Sequence, residues 1–156
     1  MSEREIAVRL NGTERRVRTA DHATLSDLVR SLGLLGTKVS CDMQVCGACT
    51  VLLNGRPVSS CTTLAIEADG RSVTTIEGIG DGSALHPLQR AFIAHAAFQC
   101  GYCTPGMIVS AKALLDEDPR PDAERVRRWM DGNICRCTGY ETIVDAVLDA
   151  ATELSA

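Results

Sequence analysis

The chain lacks any apolar run near the roughly 18 residues that a membrane-spanning helix requires, so no membrane association is expected. It also lacks a basic surplus. Sixteen Lys and Arg stand against 20 Asp and Glu, for a formal net charge of -4, too little positive charge to neutralise a phosphate backbone, and nucleic acid is excluded as the main partner. Aromatic residues are scarce, at 3%, and no basic groove accompanies them, so stacking platforms for bases are excluded as well. No phosphate-binding glycine fingerprint is present. His22, His86 and His95 are the only histidines; none forms a nucleophile-base pattern, and no catalytic residue is assigned. The charged opening Ser2-Glu3-Arg4-Glu5 leads into no apolar secretory segment, which points to a cytoplasmic setting.

What the chain does have is cysteine: eight in 156 residues. Cys41, Cys46, Cys49 and Cys61 form one group, and Cys100, Cys103, Cys135 and Cys137 a second. The aromatic residues divide the chain in the same way, because Phe92, Phe98, Tyr102, Trp129 and Tyr140 all lie in the second half. Two domains follow from this division, 1–78 and 86–156, joined by a linker at 79–85 in a glycine-rich stretch.

In the first half, Ile6, Val8 and Leu10 alternate with polar residues up to Asn11-Gly12, a dipeptide suited to a tight hairpin turn, and Val17 lies on the returning strand. Leu25, Leu28, Val29 and Leu32 recur at helical spacing after Thr24, a good N-cap, with Gly33 as the stop. Asn54-Gly55 predicts a second hairpin between Thr50–Leu53 and Pro57-Val58. Ser72–Ile76 predicts a last strand. In the second half, Pro87 and Pro105 sit where first helical turns begin. Leu88 and Phe92, with His95, mark one helix, and Ile108, Ala111 and Leu115 the next. Asp118-Pro119-Arg120-Pro121 separates a third helix bearing Val126, Trp129 and Met130. Thr138 and Glu141 read as a capping box for a fourth helix carrying Ile143, Val144, Val147 and Leu148. Glu124–Arg128 reads as a solvated charge run.

Domains this small commonly need a metal or cross-link as a staple. The spacing Cys41-x4-Cys46-x2-Cys49 is that of plant-type 2Fe-2S proteins. Such a centre carries net negative charge and needs backbone N–H groups aimed at its sulfurs. Gly47 and Ala48 let the main chain come close, and Met43 reads as packing filler or, inside this loop, as a shield of the site from water. The second group lies at helix junctions, where free N–H groups favour an anionic centre. Four thiolates also satisfy tetrahedral zinc, and spacing alone leaves that reading open. Disulfides fit poorly with a reducing cytosol.

Three segments carry a resemblance: Cys41-Asp42-Met43-Gln44-Val45-Cys46-Gly47-Ala48-Cys49, Gln99-Cys100-Gly101-Tyr102-Cys103-Thr104-Pro105-Gly106, and Asn133-Ile134-Cys135-Arg136-Cys137-Thr138-Gly139-Tyr140. In order and spacing the chain resembles the small iron-sulfur subunit of the molybdenum hydroxylases, the family of xanthine dehydrogenase, aerobic carbon monoxide dehydrogenase and isoquinoline oxidoreductase. The resemblance implies an α+β fold, with a ferredoxin-like β-grasp N-terminal domain and a C-terminal four-helix 2Fe-2S domain. It implies two 2Fe-2S clusters held by the eight cysteines, and a non-catalytic electron-transfer role in an oxidoreductase. It further implies a large molybdopterin-binding subunit, with cytosine dinucleotide as the pterin form, and a medium FAD-binding subunit in a heterotrimer that dimerises. Gln99 and Cys137 would then meet the pterin. Many members of the family have glycine in place of Ser40 and Gln44, which bears on the conformation of the first loop. Two other readings compete, a zinc-stabilised interaction module and a free-standing two-cluster ferredoxin. The first would be colourless and the second a monomer.

Overall fold

The computed structural model describes residues 2–80 and 82–156; Asp81, within the expected linker, lies outside them. Strands β1 (Glu3–Leu10) and β2 (Thr13–Ala20) form the first hairpin, with Asn11 and Gly12 both at positive φ as the tight turn demands. Helix α1 (Leu25–Ser31) starts at Thr24, whose hydroxyl accepts from Asp27 N–H while the Asp27 carboxylate accepts from Thr24 N–H. Strands β3 (Thr50–Leu53) and β4 (Arg56–Ser59) make the second hairpin, and β5 (Ser72–Thr74) lies between β1 and β3. The sheet order is β2-β1-β5-β3-β4, parallel only between β1 and β5.

Helices α2 (Pro87–Ala94), α3 (Thr104–Glu117), α4 (Ala123–Met130) and α5 (Glu141–Leu154) follow. The whole is the expected α+β arrangement. Among the described residues no helix is long and apolar enough to cross a membrane.

Two hydrophobic cores result. Ile6, Val8, Leu10, Leu25, Val29, Val51 and Val73 pack between sheet and α1, while Leu88, Phe92, Met107, Leu114, Met130 and Ile143 pack among the later helices. Strand β3 serves both: Val51 and Leu53 face the first core and Leu52 the second, so every β3 residue is buried. The halves therefore meet face to face across β3 and α3.

Two local expectations need correction. The last strand stops at Thr74, and Ile76–Gly78 form a 3-10 turn. The Asn11 side chain explains this, because Oδ1 accepts from Thr75 N–H, the ladder donor that a longer strand would need, while Nδ2 donates to Thr75 Oγ1. Beyond it, Ile79 is only 7% exposed and belongs to the helical core. The Thr138–Glu141 capping box also does not form. Tyr140 is the N-cap of α5, at φ 67 and with no side-chain cap, while the Thr138 hydroxyl accepts from Tyr140 N–H. The charge run of α4 is solvated, with Arg125 on Glu117 and Arg127 on Glu141.

His86 caps α2: its Nδ1 accepts from Leu88 N–H, and Gln89 Oε1 accepts from His86 N–H. The ring must be neutral to accept. Burial, then the Lys112 ammonium, holds the imidazole below its ordinary 6.5. The unfolded chain thus binds a proton at higher pH than the folded one. Stability from this group is complete above that value and is lost as the pH falls below it. Between about pH 8 and about pH 5, the urea midpoint of the natural chain should fall more steeply than that of His86→Asn, a non-titrating cap; parallel curves would remove the imidazole from the account.

Candidate metal centres

The loop from Ser40 to Cys49 has no regular structure, and its path is bent by positive φ at Asp42, Gln44 and Gly47. Gln44 takes this left-handed conformation without being glycine, at φ 61. The bends turn main-chain N–H groups inward. Val45 and Cys46 N–H each donate to Cys41 Sγ at 3.3 Å. Hydrogen bonds from the N–H groups of Met43, Val45 and Cys46, in that order, bring the Cys41 thiol down to about 6.

Cys46 adjoins Cys41, and Cys49 adjoins Cys61. Burial raises the Cys61 thiol to about 11, against the Gln44 N–H that favours its anion. Ser60, fully buried, donates to Cys49 O at 2.6 Å and ties the fourth cysteine's turn to the ligand loop.

The second group gathers from two junctions. Cys100 and Cys103 lie between α2 and α3, with Cys103 the N-cap of α3; Cys135 and Cys137 lie between α4 and α5. Their sulfurs pair across the junction, Cys100 with Cys137 at 3.6 Å and Cys103 with Cys135. Burial, then the Cys135 neighbour, pushes the Cys103 thiol up to about 12. At Cys135 burial raises the thiol, but the hydroxyl and N–H of Thr138 and the N–H of Cys137 outweigh it, and the net shift is downward. Cys135 N–H in turn donates to Tyr140 Oη at 2.7 Å.

The expected site residues are thus assembled as four pairs of thiols, two pairs to a site, and all eight cysteines are free thiols. Among the described residues no three His, Cys, Asp or Glu side chains surround one point as a single ion requires. Tetrahedral zinc needs four sulfurs around one point. A binuclear centre places two thiolates on each iron, which paired thiols with inward N–H groups fit. The buried hydroxyl of Thr104, next to Cys103, has no hydrogen-bond partner among the described residues.

Gln99 and Cys137 also come together: the Gln99 amide donates to Cys137 O at 3.0 Å, and both residues are exposed. Two expectations shift. Met43 is 68% exposed in the chain alone and shields nothing there. Gly47 is needed chiefly for the other half of the molecule, since a Cβ on it would overlap Gly132 O and lie 2.6 Å from Asn133 Nδ2. Sequence reasoning missed the contact between the two ligand loops, where Ile134 N–H donates to Cys46 O at 2.9 Å. The signal was the residue pair directly before Cys135, read only as part of a motif. Tyr140, read from the sequence as an aromatic of the second half and part of the third motif, accepts from the Cys135 N–H.

Comparison with known proteins agrees with this geometry. Residues 8–72 match the family model of the 2Fe-2S iron-sulfur cluster binding domain, and residues 75–148 that of the 2Fe-2S binding domain. The chain is 50% identical over 151 residues to the nicotine 6-hydroxylase small subunit of Paenarthrobacter nicotinovorans, covering 96% of this chain and 91% of that one. It is 49% identical over 152 residues to the aldehyde oxidoreductase of Megalodesulfovibrio gigas, covering 95% of this chain and 17% of that protein. The crystal structure of quinoline 2-oxidoreductase from Pseudomonas putida 86 superposes with a TM-score of 0.95 at 45% identity, over 98% of this chain and 96% of the matching one.

Proposed function

Because the chain belongs to the small iron-sulfur subunits of the molybdenum hydroxylases, electron-transfer components that transform no substrate themselves, we propose that Cys41, Cys46, Cys49 and Cys61 hold one 2Fe-2S centre and Cys100, Cys103, Cys135 and Cys137 the other. The pairing of the thiols carries this assignment. Each centre, when bound, supplies a site that takes up and releases one electron at a time. Residues 1–78 would then form the unit of the first centre and 86–156 that of the second, joined by 79–85.

The chain's own groups set the conditions. Val45 and Cys46 N–H groups stabilise negative charge on the first sulfurs, and Thr138 N–H does so at Cys135. The Cys46 O and Ile134 N–H contact gives a short covalent and hydrogen-bonded route from one ligand loop to the other.

The partner is a larger molybdopterin-binding chain in this reading. Its support is that the matching region occupies 17% of the Megalodesulfovibrio gigas aldehyde oxidoreductase. In addition, Met43, Val45, Tyr102 and Ile134, all in or beside the ligand loops, expose large apolar surface that a partner would cover. The exposed pair Cys100–Cys137, with Gln99 on Cys137 O, faces outward and suits a pterin edge. Resemblance to the family extends the proposal to a cytosine dinucleotide pterin, an FAD-binding chain, a dimer of heterotrimers and a cytoplasmic location. The zinc module and the free ferredoxin are not favoured, since relatives of this chain are subunits of oxidoreductases.

The test is anaerobic purification of the tagged chain from its own host. Expected are a brown protein, about four iron and about four acid-labile sulfide per chain, two distinct paramagnetic signals on reduction, and co-purifying molybdenum and flavin chains. A colourless chain carrying zinc overturns the proposal.

A further inference from the structure

We propose that Asn133 is a positioning residue that sets the spacing of the two ligand loops, and with it the electronic coupling between the two centres. The inference rests on the two-centre assignment above. Asn133 is 5% exposed and lies in the turn after α4, its N–H donating to Met130 O, two residues before Cys135. Its Nδ2 donates to Gly47 O at 2.9 Å, inside the first ligand loop between Cys46 and Cys49, and lies 3.3 Å from Thr50 Oγ1. The Thr50 hydroxyl donates to the same Gly47 carbonyl at 2.7 Å. One residue further along, Ile134 N–H donates to Cys46 O.

The contact has no slack on either side. A Cβ at Gly47 would overlap Gly132 O, and a Cβ at Gly106, three residues after Cys103, would overlap Gly47 O and lie 3.1 Å from Ala48 O. The Gly47–Ala48 segment is thus gripped between the start of α3 and the turn before Cys135, and the amide of Asn133 is the polar fastening of that grip. Packed interiors respond to a lost fastening by discrete shifts. A neutral amide also holds the loops without adding charge beside two anionic centres, which a carboxylate would do.

The experiment uses the assembled complex with Asn133→Ala, Asn133→Ser and Asn133→Asp, each analysed for iron and sulfide and fully reduced for paramagnetic resonance. Expected are full iron and sulfide, both individual signals, a changed magnetic splitting between the two reduced centres, and electron exchange between them slowed several-fold. A variant that retains both centres with splitting and exchange rate unaltered overturns the proposal. Loss of both centres from all three variants overturns it too, since Asn133 would then serve assembly and not spacing. Failure of the two-centre assignment itself is seen separately, as fewer than two signals in the natural chain.

Discussion

Replacing Cys103 by serine is expected to halve the iron and acid-labile sulfide of the chain, to abolish the signal of the second centre, and to leave that of the first. Serine is close in volume, so the packing of Cys103 against the helical core survives. Its hydroxyl is a far poorer soft-metal ligand than a thiolate. The burial that drives the free thiol up to about 12 means that only a bound cation makes the anion favourable at this position, and without a second thiolate beside Cys135 that cation has no seat. In the assembled complex, electron delivery to an external acceptor should fall to background while the first centre remains reducible by dithionite. Simultaneous disappearance of both signals would overturn the division into two units, and survival of the second signal would remove Cys103 from the second set.

The second large effect is expected from Gly106→Ala. Alanine is the better helix former by about 1 kcal/mol, and Gly106 lies inside α3 without positive φ, so on local grounds the change should stabilise. Tertiary structure reverses the sign. The added methyl would overlap Gly47 O and crowd Ala48, both main-chain atoms of the first ligand loop that cannot rotate aside. Overpacking of this kind costs about 1–3 kcal/mol, so the thermal midpoint should drop by roughly 2–12 °C for a chain of this size. Gly132→Ala is the control, because a Cβ there meets nothing within 4 Å, and its stability should stay within roughly 0.5 kcal/mol of the natural chain's. Equal midpoints for the two variants would refute the tight contact between the halves.

Much of the fold was legible residue by residue. Asn11-Gly12 and Asn54-Gly55 announced their turns because positive φ at both positions is a property of those residues and their neighbours. Thr24 and Pro87 announced helix starts, and the structure completes each cap with groups three residues apart or fewer. Errors arose where a distant group intervened. Ile76 leaves the strand because Asn11, far away in the chain, occupies Thr75. Thr138 is the exception, a local one: it fails as a cap because its N–H is turned to Cys135 Sγ, three residues back, and its hydroxyl accepts from Tyr140 N–H, two residues on.

The site divides along the same line. The sequence by itself determined that eight thiols fall into two groups, that the first group has the spacing of a 2Fe-2S loop, and which family the motifs belong to, since each of these is a matter of residue type and separation along the chain. Only the tertiary structure decided which thiol faces which, that Cys100 meets Cys137 and Cys103 meets Cys135, and that Asn133 and Ile134 join the two ligand loops. The physical reason is that these contacts lie between segments some 30 to 90 residues apart, and their geometry is set by how α3 docks on β3 and how α4 and α5 close over it, which no local spacing encodes.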